Sequence, residues 1–228
     1  MTTMHSHKLP YPLDPYGRKD SSQNDEDGII ETILAHIPVA RHFVEFGCDP
    51  TECNCLKLHR LGWPGLFMDA AGDKSGGTLI KKEWVSAANI EELLDKYQVP
   101  EFGVLSIDID GQDYWVWSAI QDNPTLVIIE YNGKLGINQS LVIPRDDNFI
   151  IQSQFYGASL LAMNRLARRK GYQLVYANGV NAFFVDRYKL ANADDFQYEK
   201  IYRAWPTETI QDPRALGFLA ADPLGRLK

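Results

Sequence analysis

VEFGCDPTECNC, residues 44–55, holds all three cysteines of the chain within eight positions. The stretch reads either as a metal cage or as the strand, turn and helix start of a nucleotide-binding fold. His42 to Gly47 form a short apolar run closed by glycine, a buried strand. Asp49-Pro50-Thr51-Glu52 then has the signs of a helix start: Asp at the N-cap, Pro at the first helical position, Glu reaching back. Leu56, Leu58 and Leu61 carry that helix to Gly62. Cys48-x4-Cys53-x-Cys55 fits no common zinc or cluster spacing, and no fourth cysteine exists. His59 could be recruited, but Cys53 and Cys55 would face different sides of the helix. The thiols therefore read as reduced packing groups beside a ligand turn.

The flanking segments repeat the strand–helix alternation. SSQNDEDGIIETILAHIP (21–38) places Ile29, Ile30, Ile33, Leu34 and Ile37 on helical spacing up to Pro38. Strands are expected at 64–70, 79–87, 102–110 and 125–132, with helices at 89–100, 111–124 and 157–171. Asn178-Gly179 between two apolar runs signals a hairpin. The pattern predicts an α/β fold: a doubly wound, mostly parallel, seven-stranded sheet closed by a C-terminal antiparallel hairpin strand. The expected organisation is an N-terminal arm (1–20) on the surface or disordered, one domain over 21–187, and a tail or cap over 188–228. The stretch 133–154 is long for a connection and is expected to cover a substrate.

With 45% hydrophobic and 23% charged residues among 228, the chain has the composition of a soluble globular protein. No apolar run approaches the ~20 residues of a spanning helix, and the first residues lack a signal-like apolar core, so a cytoplasmic protein is expected. A net charge of −7 argues against a nucleic-acid partner. The basic cluster RLARRKG (165–171) reads as cations at a helix C-terminus, and His5 and His7 as part of a mobile leader.

Ligands of open parallel sheets bind outside the carboxyl ends of the strands, near the switch in strand order. That edge carries Glu45, Asp49, Asp69, Asp108, Asp110 and Glu130. Carboxylates crowded on one edge repel, so the pattern suits a cationic or hydroxyl-rich ligand.

The motifs at Gln23–Gly28, Glu45–Gly47, Thr51–Asn54, Ser106–Trp117, Ile128–Asn132 and Asn181–Val185, in this order, resemble the class I S-adenosylmethionine-dependent methyltransferases, and more narrowly a bacterial branch of that family. The resemblance implies S-adenosylmethionine as cofactor. Glu45 and Gly47 would serve its methionine end, with Asn54 or helix-start amides holding the carboxylate where Pro50 replaces the family's second glycine. Asp69 would accept the ribose hydroxyls, Ala87 to Asn89 would flank the adenine, and Asp108 would lie beside the methyl group.

If the acceptor is a hydroxyl, transfer also requires removal of a proton. Asp110 or Asp113 could act as the base. Alternatively, Asp108 or Asp110 with Glu130 and Asn132 could hold Mg²⁺ and activate the acceptor; otherwise Glu130 and Asn132 only cap a strand. The polar residues 145–148, Gln152, Gln154 and Tyr156 suggest a small polar acceptor, and Trp115 and Trp117 could stack on a ring but more often belong to a core. The resulting expectation is methylation of oxygen or nitrogen on a small metabolite or sugar. The alternatives are a catalytically silent partner subunit and an NAD-dependent oxidoreductase, against which the lack of G-x-G-x-x-G counts.

Overall fold

A computed structural model describes residues 7–77, 79–151, 153–205 and 209–221; His5 and Gln152 lie outside these. Its strands are β1 (Phe43–Phe46), β2 (Gly65–Asp69), β3 (Ile80–Lys82), β4 (Val104–Ile107), β5 (Leu126–Glu130), β6 (Leu141–Val142), β7 (Tyr172–Ala177), β8 (Asn181–Asp186) and β9 (Leu219–Ala220). The α-helices are α1 (Glu26–His36), α2 (Leu56–Arg60), α3 (Ile90–Lys96), α4 (Asp113–Ala119), α5 (Leu160–Arg169) and α6 (Tyr198–Ile201).

Seven strands form one sheet in the order β3-β2-β1-β4-β5-β8-β7. The first five run parallel, and β8 is antiparallel to both its neighbours. Every residue of β1 and β4 is buried, as both faces of a covered parallel sheet require. Right-handed crossovers put α2 on one face and α3, α4 and α5 on the other, because the chain reverses direction across the sheet after β3. The last three lie side by side, and α1 joins α2 through the Glu31–Lys57 ion pair. The expected α/β class, seven strands and closing hairpin are all present.

Two segments differ from expectation. The helix expected from Asp49 begins only at Leu56. Asp49 to Glu52 close a β-turn instead, with Glu52 N–H donating to Asp49 O at 3.0 Å and Thr51 N–H to Asp49 Oδ1 at 3.0 Å. Asp-Pro suits the first two places of such a turn as well as it suits a helix start. The N-terminal arm, from residue 7 onward, is part of the body. Leu9 and Leu13 are buried, His7 N–H donates to Lys189 O at 2.7 Å, and Leu9 is tied to Asn192. The tail and the 133–154 stretch build a minor core together: β6 pairs with β9, and Leu135, Leu141, Ile143, Ile210 and Phe218 pack beneath them.

Three of the cations in the basic cluster serve the fold. Arg165 donates to Ala221 O, Arg169 to the Tyr114 hydroxyl and Lys170 to Ile120 O. Trp117 is buried against Tyr172 and Phe184, and Trp115 donates to Ile143 O, so both tryptophans are framework. Among the described residues no helix is long and apolar enough to cross a membrane.

Candidate functional site

The strand order reverses between β1 and β4, and a cleft of about 520 Å³ opens at their carboxyl ends. Gly47 makes this geometry possible. Its φ is +70°, and a Cβ there would lie 1.5 Å from the Asp108 carbonyl oxygen. No side chain fits, so the β1 turn can pass directly over the end of β4.

Glu45 sits under this turn, buried. Its carboxylate accepts Asn54 N–H at 2.7 Å and Cys55 N–H at 2.8 Å, and Asn54 Nδ2 donates to Ser106 Oγ at 3.1 Å. Burial pushes the Glu45 carboxyl up to about 7, against the pull of those backbone donors. Glu45 therefore anchors residues 54 and 55 besides lining the cleft. The three thiols are free and buried here: Cys48 donates to Met68 O, Cys53 to Asp49 O.

Of the residues expected at the site, Glu45, Gly47, Asn54, Asp69, Asp108 and Asp110 line the cleft. Asp69 ends β2; its Oδ1 accepts Ala71 N–H at 2.7 Å, and among the described residues no donor reaches Oδ2. At the β3–α3 connection the wall is Trp84, Val85 and Ser86 rather than Ala87 and Asn89. Asn89 is engaged locally: its Oδ1 accepts Ser86 N–H at 2.8 Å and its Nδ2 donates to Trp84 O at 2.7 Å.

Asp113 lies outside the wall and holds the turn after β4. It accepts Ile109 N–H and Gly111 N–H, both at 2.9 Å, one on each oxygen, so its carboxylate is turned into the loop rather than to the cleft. Burial raises its carboxyl to about 6, with those two donors holding it down. Asn132, fully buried, is likewise engaged. Its Nδ2 donates to Gln154 O and Tyr156 O and its Oδ1 accepts Lys134 N–H, so the amide holds the 133–156 loop, and it does not line the cleft.

Asp108, Asp110 and Glu130 lie together, Asp108 and Asp110 on the cleft wall and Glu130 outside it. Each offers a carboxylate oxygen within 4.8 Å of the others. Burial, then the neighbouring acids, pushes Asp108 and Glu130 well up; Asp110 is raised too, by burial and by Asp69. Glu130 Oε2 is sealed from solvent without a partner. Three converging carboxylates, one with an orphaned oxygen, fit a hard divalent cation.

Sequence reading missed several wall residues. Lys74, from the loop after β2, lies 3.5 Å from Asp49 and is the cation of the wall among the described residues. Trp84, 47% exposed, donates to Asp147 O at 2.7 Å and so ties the β3 edge to the 133–154 stretch. From that stretch Asp146 and Asp147, among the polar residues expected to face a substrate, reach the cleft together with Phe149, Ile150 and Ile151, which were not singled out. An exposed tryptophan and two exposed isoleucines on one cleft wall have no periodic signature; only the fold brings them to the same cleft. Asn181, buried at the start of β8, also contributes. Compared with known proteins, the chain matches no family model, and no curated protein matches it.

Proposed function

We propose that the chain is an S-adenosylmethionine-dependent methyltransferase acting on oxygen or nitrogen of a small polar acceptor. One observation carries the reading: a switch-point cleft under a glycine-only turn, with an acid at the end of each of β1, β2, β4 and β5 in a sheet closed by an antiparallel strand. The cofactor would supply an electrophilic methyl group on a sulfonium. Asp69 Oδ2 suits a ribose hydroxyl, and Lys74 is a counter-charge for a carboxylate. Trp84 with Ile150 and Ile151 offers apolar faces for a base. Asp108, just after β4, would lie beside the methyl group.

Asp110, which lines the cleft where Asp113 does not, is the better placed of the two to take a proton directly. With a divalent cation on Asp108, Asp110 and Glu130, an acceptor hydroxyl would instead lose its proton more readily. Chelator should then depress turnover, Mg²⁺ or Mn²⁺ should restore it, and Glu130→Gln should be impaired to a similar degree. Full activity in chelator leaves Asp110 alone as the base.

Isothermal titration with S-adenosylmethionine, S-adenosylhomocysteine and NAD(H) tests the assignment. Binding of the first two is expected, and binding of NAD(H) alone overturns it. A folded chain that binds neither at millimolar concentration is a silent partner subunit. Asp69→Ala should weaken S-adenosylhomocysteine binding by about 1.5–3 kcal/mol, the cost of hydrogen bonds to a charged acceptor. An unchanged Kd would place the ribose elsewhere.

A further inference from the structure

We propose that Asn181 completes the acid cluster, its Oδ1 joining Glu130 Oε2, Asp108 and Asp110 as an all-oxygen ligand set for one divalent cation of the Mg²⁺ class. The inference rests on the metal reading above and adds a ligand from β8.

Among the described residues, four buried side-chain polar atoms have no partner: Trp117 Nε1, Asn164 Oδ1, Glu130 Oε2 and Asn181 Oδ1. Buried polar atoms are rarely left so, and each calls for a cause. Two of the four belong to directly opposed residues, because Glu130 pairs with Asn181 in the β5–β8 register. Tyr131 N–H donates to Val180 O at 2.9 Å. The adjoining Glu130–Asn181 pair is therefore of the non-hydrogen-bonded type, in which opposed side chains approach most closely.

Both orphans are oxygens, so an ionised Glu130 cannot satisfy Asn181. The orientation of the Asn181 amide is fixed from behind. Its Nδ2 donates to Glu26 Oε1 at 3.0 Å, and the same oxygen accepts Asn178 Nδ2 at 2.8 Å. With the nitrogen committed to Glu26, the amide oxygen is turned away from it. Asn181 is 1% exposed and lines the same cleft as Asp108 and Asp110. Among the described residues, two orphaned oxygens on a cross-strand pair, beside two more carboxylates, lack a positive partner common to all of them. A hard cation meets that need and relieves the mutual repulsion.

Mn²⁺ serves as the probe, measured by paramagnetic resonance and titration calorimetry on the full chain without cofactor or acceptor. One Mn²⁺ per chain is expected. Asn181→Ala should weaken binding at least tenfold, while Asn181→Asp, which keeps the oxygen, should bind within about threefold of wild type or tighter. Asn164→Ala, which removes an orphaned oxygen in α5, should leave Mn²⁺ affinity unchanged. Thermal melts check that each variant folds; if Asn181→Ala does not, Asn181→Leu replaces it. Wild-type affinity in Asn181→Ala overturns the proposal. So does wild type that binds no Mn²⁺, in which case a protonated Glu130 donates to Asn181 instead. S-adenosylhomocysteine titration needs no metal, so failure here stays distinct from failure of the methyltransferase reading.

Discussion

Replacing Asp27 by Ala should lower stability by about 3–5 kcal/mol and the melting temperature by roughly 10 °C. Asp27 is 1% exposed and accepts from the backbone N–H of Asp20, Ser21 and Ser22 at 2.8, 2.6 and 2.8 Å. Both serine hydroxyls add to these, at 3.1 and 2.8 Å. Burial pushes this carboxyl up, but the backbone donors at Ser21, Ser22 and Asp20 outweigh it and hold the group below its usual value. Alanine leaves three backbone donors without an acceptor, each costing about 1–3 kcal/mol while buried, less whatever water can reach after the loop relaxes. The same turn supports the cleft, since Ser21 O accepts Cys53 N–H at 3.1 Å and Gln23 lines the wall. Ligand affinity should therefore fall along with stability. Asp27→Asn, which keeps one oxygen, should lie between wild type and Asp27→Ala. A urea midpoint shift in Asp27→Ala equivalent to under about 1 kcal/mol would show that the turn holds without its carboxylate.

The role of Asp27 also marks how far sequence reading reaches. The acids of SSQNDEDG stand in the first turn of α1, where a helix dipole already accounts for them. Nothing in the string says that Asp27 reaches back to residues 20–22 while Glu26 reaches across to Asn178 and Asn181. Gly28 is explained only by the fold, because a Cβ there would lie 2.0 Å from Tyr16 O. The central strands were legible because parallel strands buried on both faces are continuous apolar runs. The hairpin was legible because Asn-Gly is a specific turn. Contacts between distant segments were not: β6 and β9 are two residues each and pair across nearly eighty positions.

The candidate site divides along the same line. Acids at strand ends are marked by where the apolar run stops, so Glu45, Asp69, Asp108 and Asp110 were found on the cleft. Whether an acid is available for chemistry depends on which backbone amides it meets. That separates Asp110 from Asp113, three residues apart, and Asn181 from Asn132. Trp84 and Lys74 sit in irregular loops, where neither period 2 nor period 3.6 applies.

Without added divalent cation, the protein should be most stable near pH 5 and lose about 3 kcal/mol or more by pH 8. Glu45 carries the argument, because burial raises its carboxyl from 4.5 to about 7. Between those values the folded state holds a proton that the unfolded chain has released. Rising pH therefore favours unfolding across this window, and the cost is complete above pH 7. Asp113, raised by burial from 3.8 to about 6, acts in the same direction over a lower range. His42 opposes them: burial lowers its imidazole, so the fold loses stability as pH drops below 6.5. His42 is only partly buried, whereas Glu45 and Asp113 are buried carboxyls, so the acids should dominate. Below about pH 4.5 the balance reverses, because Glu26 and Asp27 are held below their usual values and lose their donors as they protonate. The check is urea denaturation at pH 4, 5, 6, 7 and 8 in chelator, on wild type and Glu45→Gln. The glutamine variant cannot titrate there, so its decline from pH 5 to 8 should be visibly shallower. Stability that rises through this range, or an unaltered slope in Glu45→Gln, would mean that Glu45 stays ionised beneath the turn.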